Sequence, residues 1–243
     1  MLSDTAAIVI IGDEILSGKF VEENAAYLIP ALRELGVSLR RIEVIPDSLE
    51  DIAETIRRLS ARHDHVFTSG GVGPTHDDMT MEGVARAFGS KLRRHAELEQ
   101  LLRAFYGGRL TERNLRMADV PDGAALILSD HSFWPVTQVR NVYILPGVPA
   151  LFRRKFDSIR ERFRARPFCA TRVYCAAEEG NIAAYLDEVV AAFPQVSIGS
   201  YPRFDTPDFR VIVTLESKDA EAVERARKAL VTSLPDGIVV RVE

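Results

Sequence analysis

The sequence predicts a three-layer α/β domain with a mostly parallel sheet at residues 1–165, followed by a small ferredoxin-like α+β domain at 168–243. Three observations predict it. Short apolar runs at 6–11, 37–45 and 65–68 alternate with stretches whose apolar residues recur at helical spacing. The third run feeds straight into a glycine-rich loop at 70–73. Beyond Arg166-Pro167, which reads as a linker, the order of elements changes to β-α-β-β-α-β.

The first run, 6–11, is a buried strand that ends at the polar turn Gly12-Asp13-Glu14. Ala25, Leu28, Leu32 and Leu35 mark a helix over 22–35, with Gly36 after its end. The strand at 37–45 closes at Pro46-Asp47-Ser48. Ile52, Ile56 and Leu59 share one face of a helix over 49–59. The strand at 65–68 precedes the glycine loop, and a helix begins near Thr80. Residues 95–117 read as one or two helices, interrupted at Tyr106-Gly107-Gly108-Arg109. Strands follow near 125–128, 136–139 and 142–145, then the turn Pro146-Gly147-Val148-Pro149 and a helix to about 164. In the second domain the strands fall at 171–176, 196–201, 209–215 and 238–242, and the helices at 178–193 and 220–232. In a parallel sheet, ligands bind beyond the carboxyl ends of the strands. The turns 12–14, 46–48 and 70–78 are therefore expected to converge.

The bulk numbers fit a soluble globular chain of 243 residues, 47% hydrophobic and 27% charged. A net charge of −4 argues against a surface built for nucleic acid. No apolar run approaches the ~18 residues that a membrane helix needs. The first residues lack the basic segment of a signal peptide, so the expected location is the cytoplasm. Cys169 and Cys175 on one strand would lie ~20 Å apart, too far to pair, and read as buried thiols.

The strongest chemical signal is the run Ser69-Gly70-Gly71-Val72-Gly73-Pro74-Thr75-His76-Asp77-Asp78. Glycines at 70, 71 and 73 let backbone N–H groups approach an anion. The helix behind them turns its N-terminal dipole toward the same place. A plain strand-to-helix turn does not require Asp77-Asp78 beside an anion site. A divalent metal bridging carboxylates to phosphate does. The run has neither the Gly-Lys-Ser/Thr ending of a P-loop nor dinucleotide-fold spacing. His76 reads as a loop-positioning residue, with metal ligation or proton transfer as the alternative. His63, His65, His95 and His131 read as structural or surface residues. The arginine-rich helix face at 152–166 reads as solvated, with an anionic ligand tail as the alternative. Asp205-Thr206-Pro207-Asp208 reads as a simple polar loop, with a phosphate contact from Arg203 as the alternative.

Four motifs carry a family resemblance. Residues 70–82 resemble the Gly-Gly-x-Gly-Pro-Thr-x-Asp-Asp-x-Thr-x-Glu signature of CinA-related proteins, in the MoaB/Mog-like molybdopterin-binding superfamily. Gly12-Asp13-Glu14-Ile15-Leu16-Ser17-Gly18 with Asn24 resembles the first family motif. Thr111-Glu112-Arg113-Asn114 with Pro121-Asp122-Gly123-Ala124 resembles the second. Leu145-Pro146-Gly147-Val148-Pro149 resembles the last. Ile198-Gly199-Ser200-Tyr201-Pro202 is similar to a motif of the related domain fused to FAD synthases. Many CinA proteins carry small residues near 132–136; here the segment is Ser132-Phe133-Trp134-Pro135-Val136, which removes small residues from the expected pocket wall.

The resemblance implies roles for individual residues. Asp47 and Asp78 would act at the phosphate and metal site, with Asp77 as a further catalytic carboxylate. Gly12, Asp13, Glu14, Asn24, Ser69, Gly70, Gly71, Gly73, Pro74, Thr75, Gly147 and Pro149 would line the phosphate or cofactor pocket. It implies a metal-dependent (Mg²⁺, Mn²⁺ or Co²⁺) hydrolase of the pyrophosphate in FAD or ADP-ribose, releasing AMP, in which Asp78→Asn abolishes turnover with the fold intact. Two alternatives stay open: a non-catalytic module for molybdopterin or a nucleotide, and a molybdopterin adenylyltransferase. A homo-oligomer is expected. The resemblance reaches neither a pyridine-nucleotide deamidase nor the nucleotidyltransferase that makes FAD, so neither activity is expected of these residues.

Overall fold

The computed structural model describes residues 4–129 and 132–243, and the chain divides into two compact units between Ala165 and Arg166. His131 lies outside the described residues.

The first unit opens with β1 (Thr5–Ile11), a single turn α1 (Asp13–Leu16), α2 (Asn24–Glu34) and β2 (Ser38–Ile45). Then come α3 (Leu49–Ser60), β3 (His65–Ser69), α4 (Thr80–Ala87), β4 (Leu92–Arg94) and α5 (Ala96–Tyr106). It closes with α6 (Glu112–Leu115), β5 (Asp119–Pro121), β6 (Ala125–Ser129), β7 (Ser132–Val139), β8 (Val142–Leu145) and α7 (Pro149–Ile159). Six strands form one sheet in the order β2-β1-β3-β8-β7-β6. The first four are mutually parallel, and β7 and β6 add antiparallel neighbours.

Strand periodicity explains the three layers. Successive side chains on β1 point to opposite faces. Ala6, Ile8 and Ile10 join a core with α2 and α7, through Leu28, Leu32, Phe152 and Phe156. Ala7, Val9 and Ile11 join a second core with α3 and α4, through Ile52, Ile56 and Val84. Both faces are covered, so β1 is apolar at nearly every position rather than alternating. Each large side chain buried in these cores stabilises the fold by about 1.5–3 kcal/mol relative to exposure.

The chain runs from β1 outward to β2, then returns past β1 to β3. That reversal creates a crevice at the carboxyl ends of β1 and β3. Three elements escaped the sequence reading. Residues 13–16 wind into a helical turn, and β4 and β5 pair as a small separate ladder. Both strands are only three residues long, too short for a period-2 pattern to register.

The second unit contains β9 (Cys169–Cys175), α8 (Glu179–Ala192), β10 (Ser197–Pro202), β11 (Val211–Ser217), α9 (Ala220–Ser233) and β12 (Val239–Val242). Its sheet order is β10-β11-β9-β12, antiparallel throughout, as in a split β-α-β fold. Val173, Val213 and Leu215 pack against Ile182, Ala226 and Leu230. Cys175 is buried, and burial pushes its thiol pKa up; Cys169, at the other end of β9, is only half-buried. Arg203 forms a forked pair with Asp205 at 3.0 and 2.7 Å, so the loop carries its own counter-charge. No helix among the described residues is long and apolar enough to cross a membrane.

Candidate functional site

The turns after β1, β2 and β3 meet as expected. Gly12 leaves β1 and donates its N–H to the Ile45 carbonyl at 3.2 Å. The next N–H, of Asp13, donates to Oδ2 of Asp47 at 2.9 Å. A Cβ on Gly12 would stand 2.7 Å from the Glu14 carboxylate, so glycine leaves room for that acid. Ser48 caps α3 immediately after Asp47 and accepts from the Asp51 N–H. The Asp47 side chain is half-buried, with its pKa above the usual carboxylate range. Burial is the largest cause; Glu14, Asp13 and Asp77 add repulsion, while the Asp13 N–H opposes them.

The glycine loop is fixed by close backbone packing. Gly70 has φ of 108°, and a Cβ there would run into the Ile11 carbonyl oxygen. Gly71 has φ of 63°, and a Cβ would strike the Thr80 hydroxyl. That hydroxyl donates to the Gly70 carbonyl at 2.7 Å, and the Thr80 N–H donates to Gly71 O at 3.0 Å. Gly147 packs against Gly70, with room for a hydrogen but little for a Cβ, which would lie 3.2 Å from the Gly70 Cα. Pro149 starts α7 directly after this contact.

Asp78 closes the loop on itself. Its Oδ1 accepts from Gly73 N–H at 2.6 Å, and its Oδ2 accepts from both Thr75 N–H at 2.8 Å and the Thr75 hydroxyl. Gly70 spends its N–H on Leu145 O. Of the four N–H groups at 70–73, only those of Gly71 and Val72 donate to no protein group among the described residues. Two N–H groups, not all four, are thus left uncommitted among the described residues for an anion. Asp78 thus has a structural part in the loop that the sequence reading did not give it, because its carboxylate holds three loop donors.

Asn24 joins β3 to the turn after β8. Its amide donates to Ser69 Oγ and to Gly147 O, both at 2.7 Å. Its Oδ1 is buried with no partner among the described residues, and Glu22 accepts the Asn24 N–H. Pro74 is half-buried within the loop, and Thr75 is exposed. Asp77 is exposed, and a Thr75 hydrogen bond chiefly lowers its carboxyl pKa. His76 stands 97% exposed with Asp77 3.9 Å away, which places it outside the packed part of the site. His65 packs against Phe163 and Tyr143, as a structural histidine does.

An apolar cleft of about 280 Å³ adjoins the loop, with Val72 and Met81 as the shared wall. Trp134, Tyr106 and Phe105 line it, together with Arg154 and Lys155 of α7. The Lys155 ammonium donates to the carbonyls of Trp134 at 2.6 Å and Pro135 at 2.9 Å. Burial, helped by Arg154, lowers its pKa to about 8. The sequence reading placed Lys155 on a solvated basic face. Three residues of that face are paired: Arg153 with Glu23, Arg160 with Glu34 and Arg164 with Glu161. Lys155 differs because it falls three residues after Phe152 and one before Phe156, on the flank of the buried stripe. That spacing was the signal available in the sequence.

Among the described residues, no group of three or more His, Cys, Asp or Glu side chains forms a ready metal cage. Asp47 nonetheless suits a cation: it is an acid beside other acids, with no positive group among the causes of its shift. Asp78 suits one less, since its oxygens already serve three donors.

Comparison with known proteins matches both units. Residues 7–165 match the model of a probable molybdopterin binding domain, and residues 167–243 match the middle domain of FAD synthase. A protein of Archaeoglobus fulgidus is 37% identical over 94% of this chain and 97% of its own length. A probable FAD synthase of Caenorhabditis elegans is 34% identical over 95% of this chain. The chain spans about half of that relative, 49%. The solved structure of CinA from Thermoplasma acidophilum is 33% identical, with a TM-score of 0.61 over 66% of this chain and 98% of that one.

Proposed function

Because the chain belongs to the family of probable molybdopterin binding domains, we propose that it binds a nucleotide pyrophosphate at the glycine loop and hydrolyses it with a divalent metal, releasing AMP from FAD or ADP-ribose. The likeness to FAD synthases along both units supports a flavin or adenine nucleotide as the ligand. The single observation that carries hydrolysis is Asp47. It is a half-buried carboxylate crowded by Asp13, Glu14 and Asp77, the last of which belongs to the glycine loop that carries the uncommitted N–H groups.

In this reading the Gly71 and Val72 N–H groups bind the phosphoryl oxygens and stabilise charge as water adds to phosphorus. Asp78 keeps those donors aimed by holding Gly73 and Thr75. Asp47, whose carboxyl pKa is raised chiefly by burial, accepts a proton from the attacking water. The bridging P–O bond then breaks, giving AMP and a second monophosphate. A cation held by Asp13 and Asp77, beside Asp47, would neutralise phosphate charge and acidify water.

The test incubates the protein separately with FAD, ADP-ribose and NAD, with Mg²⁺, Mn²⁺ or Co²⁺, and separates AMP by chromatography. Metal-dependent AMP is the expected result. Binding without AMP under every condition would favour the second reading, a non-catalytic binding module. One observation favours that reading: Asp78 is spent on its own loop.

A further inference from the structure

The cleft beside the glycine loop contains a cation that the hydrolytic reading does not use. An ammonium has three N–H donors and no acceptor. Lys155 commits two of them to the carbonyls of Trp134 and Pro135. Among the described residues, no carboxylate pairs with it. Its lowered pKa, about 8, reflects that dry setting. Lys155 lines a cleft that it shares with Arg154 and Thr137 and whose remaining walls are flat or apolar, among them Trp134, Tyr106, Phe105 and Met81. The two carbonyls belong to the segment where this chain departs from the small residues of many CinA proteins. Trp134 is thus both the aromatic wall and the anchor of the lysine.

We propose that this cleft is a subsite for a planar heteroaromatic ring bearing carbonyl acceptors on its edge, and that Lys155 determines specificity for that edge. A ring enclosed by Trp134 and Tyr106 gains stacking area. A carbonyl facing Lys155 completes the set of three hydrogen bonds, and hydrogen bonds to a charged donor are the stronger kind. A ring edge that offers a donor there would leave the ammonium short of a partner, so the site rejects it. The subsite rests on the proposed reading to the extent that Gly71 and Val72 hold the ligand's phosphate. It selects ligands whose second half is such a ring over those ending in a plain sugar.

Trp134 is the chain's single tryptophan, so its fluorescence reports on this cleft without interference. The probes are riboflavin and neopterin, which carry the carbonyl edge but no phosphate, and adenosine, a ring without carbonyls. Saturable quenching by riboflavin or neopterin, at least tenfold tighter than by adenosine, is expected; the tighter of the two names the ring. Lys155→Met should weaken that binding at least tenfold, Lys155→Arg should restore part of it, and ADP-ribose affinity by calorimetry should change less than twofold. Equal quenching by all three probes, or none, overturns the proposal with wild-type protein alone, whatever the variants do. If the ring binds and no AMP is released, hydrolysis fails and the subsite stands. If AMP is released equally well from FAD and ADP-ribose, with or without Lys155, hydrolysis stands and the subsite fails.

Discussion

The backbone N–H of Asp13 donates to the Asp47 carboxylate at 2.9 Å, tying the end of β1 to the end of β2 across 34 residues of sequence. Asparagine at 47 keeps an acceptor oxygen for this bond, and alanine does not. Asp47→Asn should therefore keep the wild-type melting temperature within a few degrees. Asp47→Ala should lose up to about 1.5 kcal/mol, the scale of one partly exposed charge-assisted hydrogen bond. Thermal denaturation of the two variants side by side checks this.

The raised pKa of Asp47 fixes the sign of a pH effect on stability. The native state holds this carboxyl's proton more tightly than the unfolded chain does, chiefly through burial. Its contribution to stability is present below the unfolded pKa and is lost as pH rises through the folded one. Asp47→Asn should therefore be more stable than wild type at neutral pH, and the difference should vanish in acid. Urea denaturation of both proteins from acid to neutral pH checks this.

Asp78 holds three donors of the glycine loop, so its loss acts through geometry. In Asp78→Asn one oxygen becomes an NH₂ group facing N–H or O–H donors. A cost of about 1–3 kcal/mol is expected, since one partner of the network is turned against its neighbours. Urea denaturation measures it. Gly71→Ala should lose a similar amount, because φ of 63° and the Thr80 hydroxyl both oppose a Cβ.

Lys155 titrates in the opposite sense to Asp47. Its folded pKa, about 8, lies below the ordinary lysine value of 10.5. Its contribution is present above pH ~10.5 and is lost as pH falls through about 8. Wild-type stability relative to Lys155→Met should rise between those two values by roughly 3 kcal/mol at most, from about 1.4 kcal/mol per pKa unit. Melting curves of both proteins from pH 7 to 10.5 show whether it does.

The architecture was legible because periodicity writes it directly. The spacing of Ile52, Ile56 and Leu59 marks one face of α3, and β8 falls at the predicted residues. The convergence of Gly12, Asp47 and Gly70 followed from where parallel strands end. The division of labour among the aspartates was not legible. Asp77 and Asp78 are adjacent and chemically identical, yet one stands in solvent and the other is consumed by Gly73 and Thr75. Only the path of the loop separates them. Lys155 was hidden for a related reason. A basic residue on an arginine-rich helix looks solvated until β7 supplies the carbonyls of Trp134 and Pro135. The ladder of β4 and β5 was missed because six residues carry too little pattern.

The most direct test of the account is the rate of AMP release from FAD and ADP-ribose by wild-type protein and Asp47→Asn, with saturating metal and with melting curves recorded on the same samples. The account predicts metal-dependent AMP from the wild type and a loss of at least a hundredfold in Asp47→Asn, with the melting temperature held. Asp47→Asn turning over at the wild-type rate, or no AMP from the wild type at all, would contradict it.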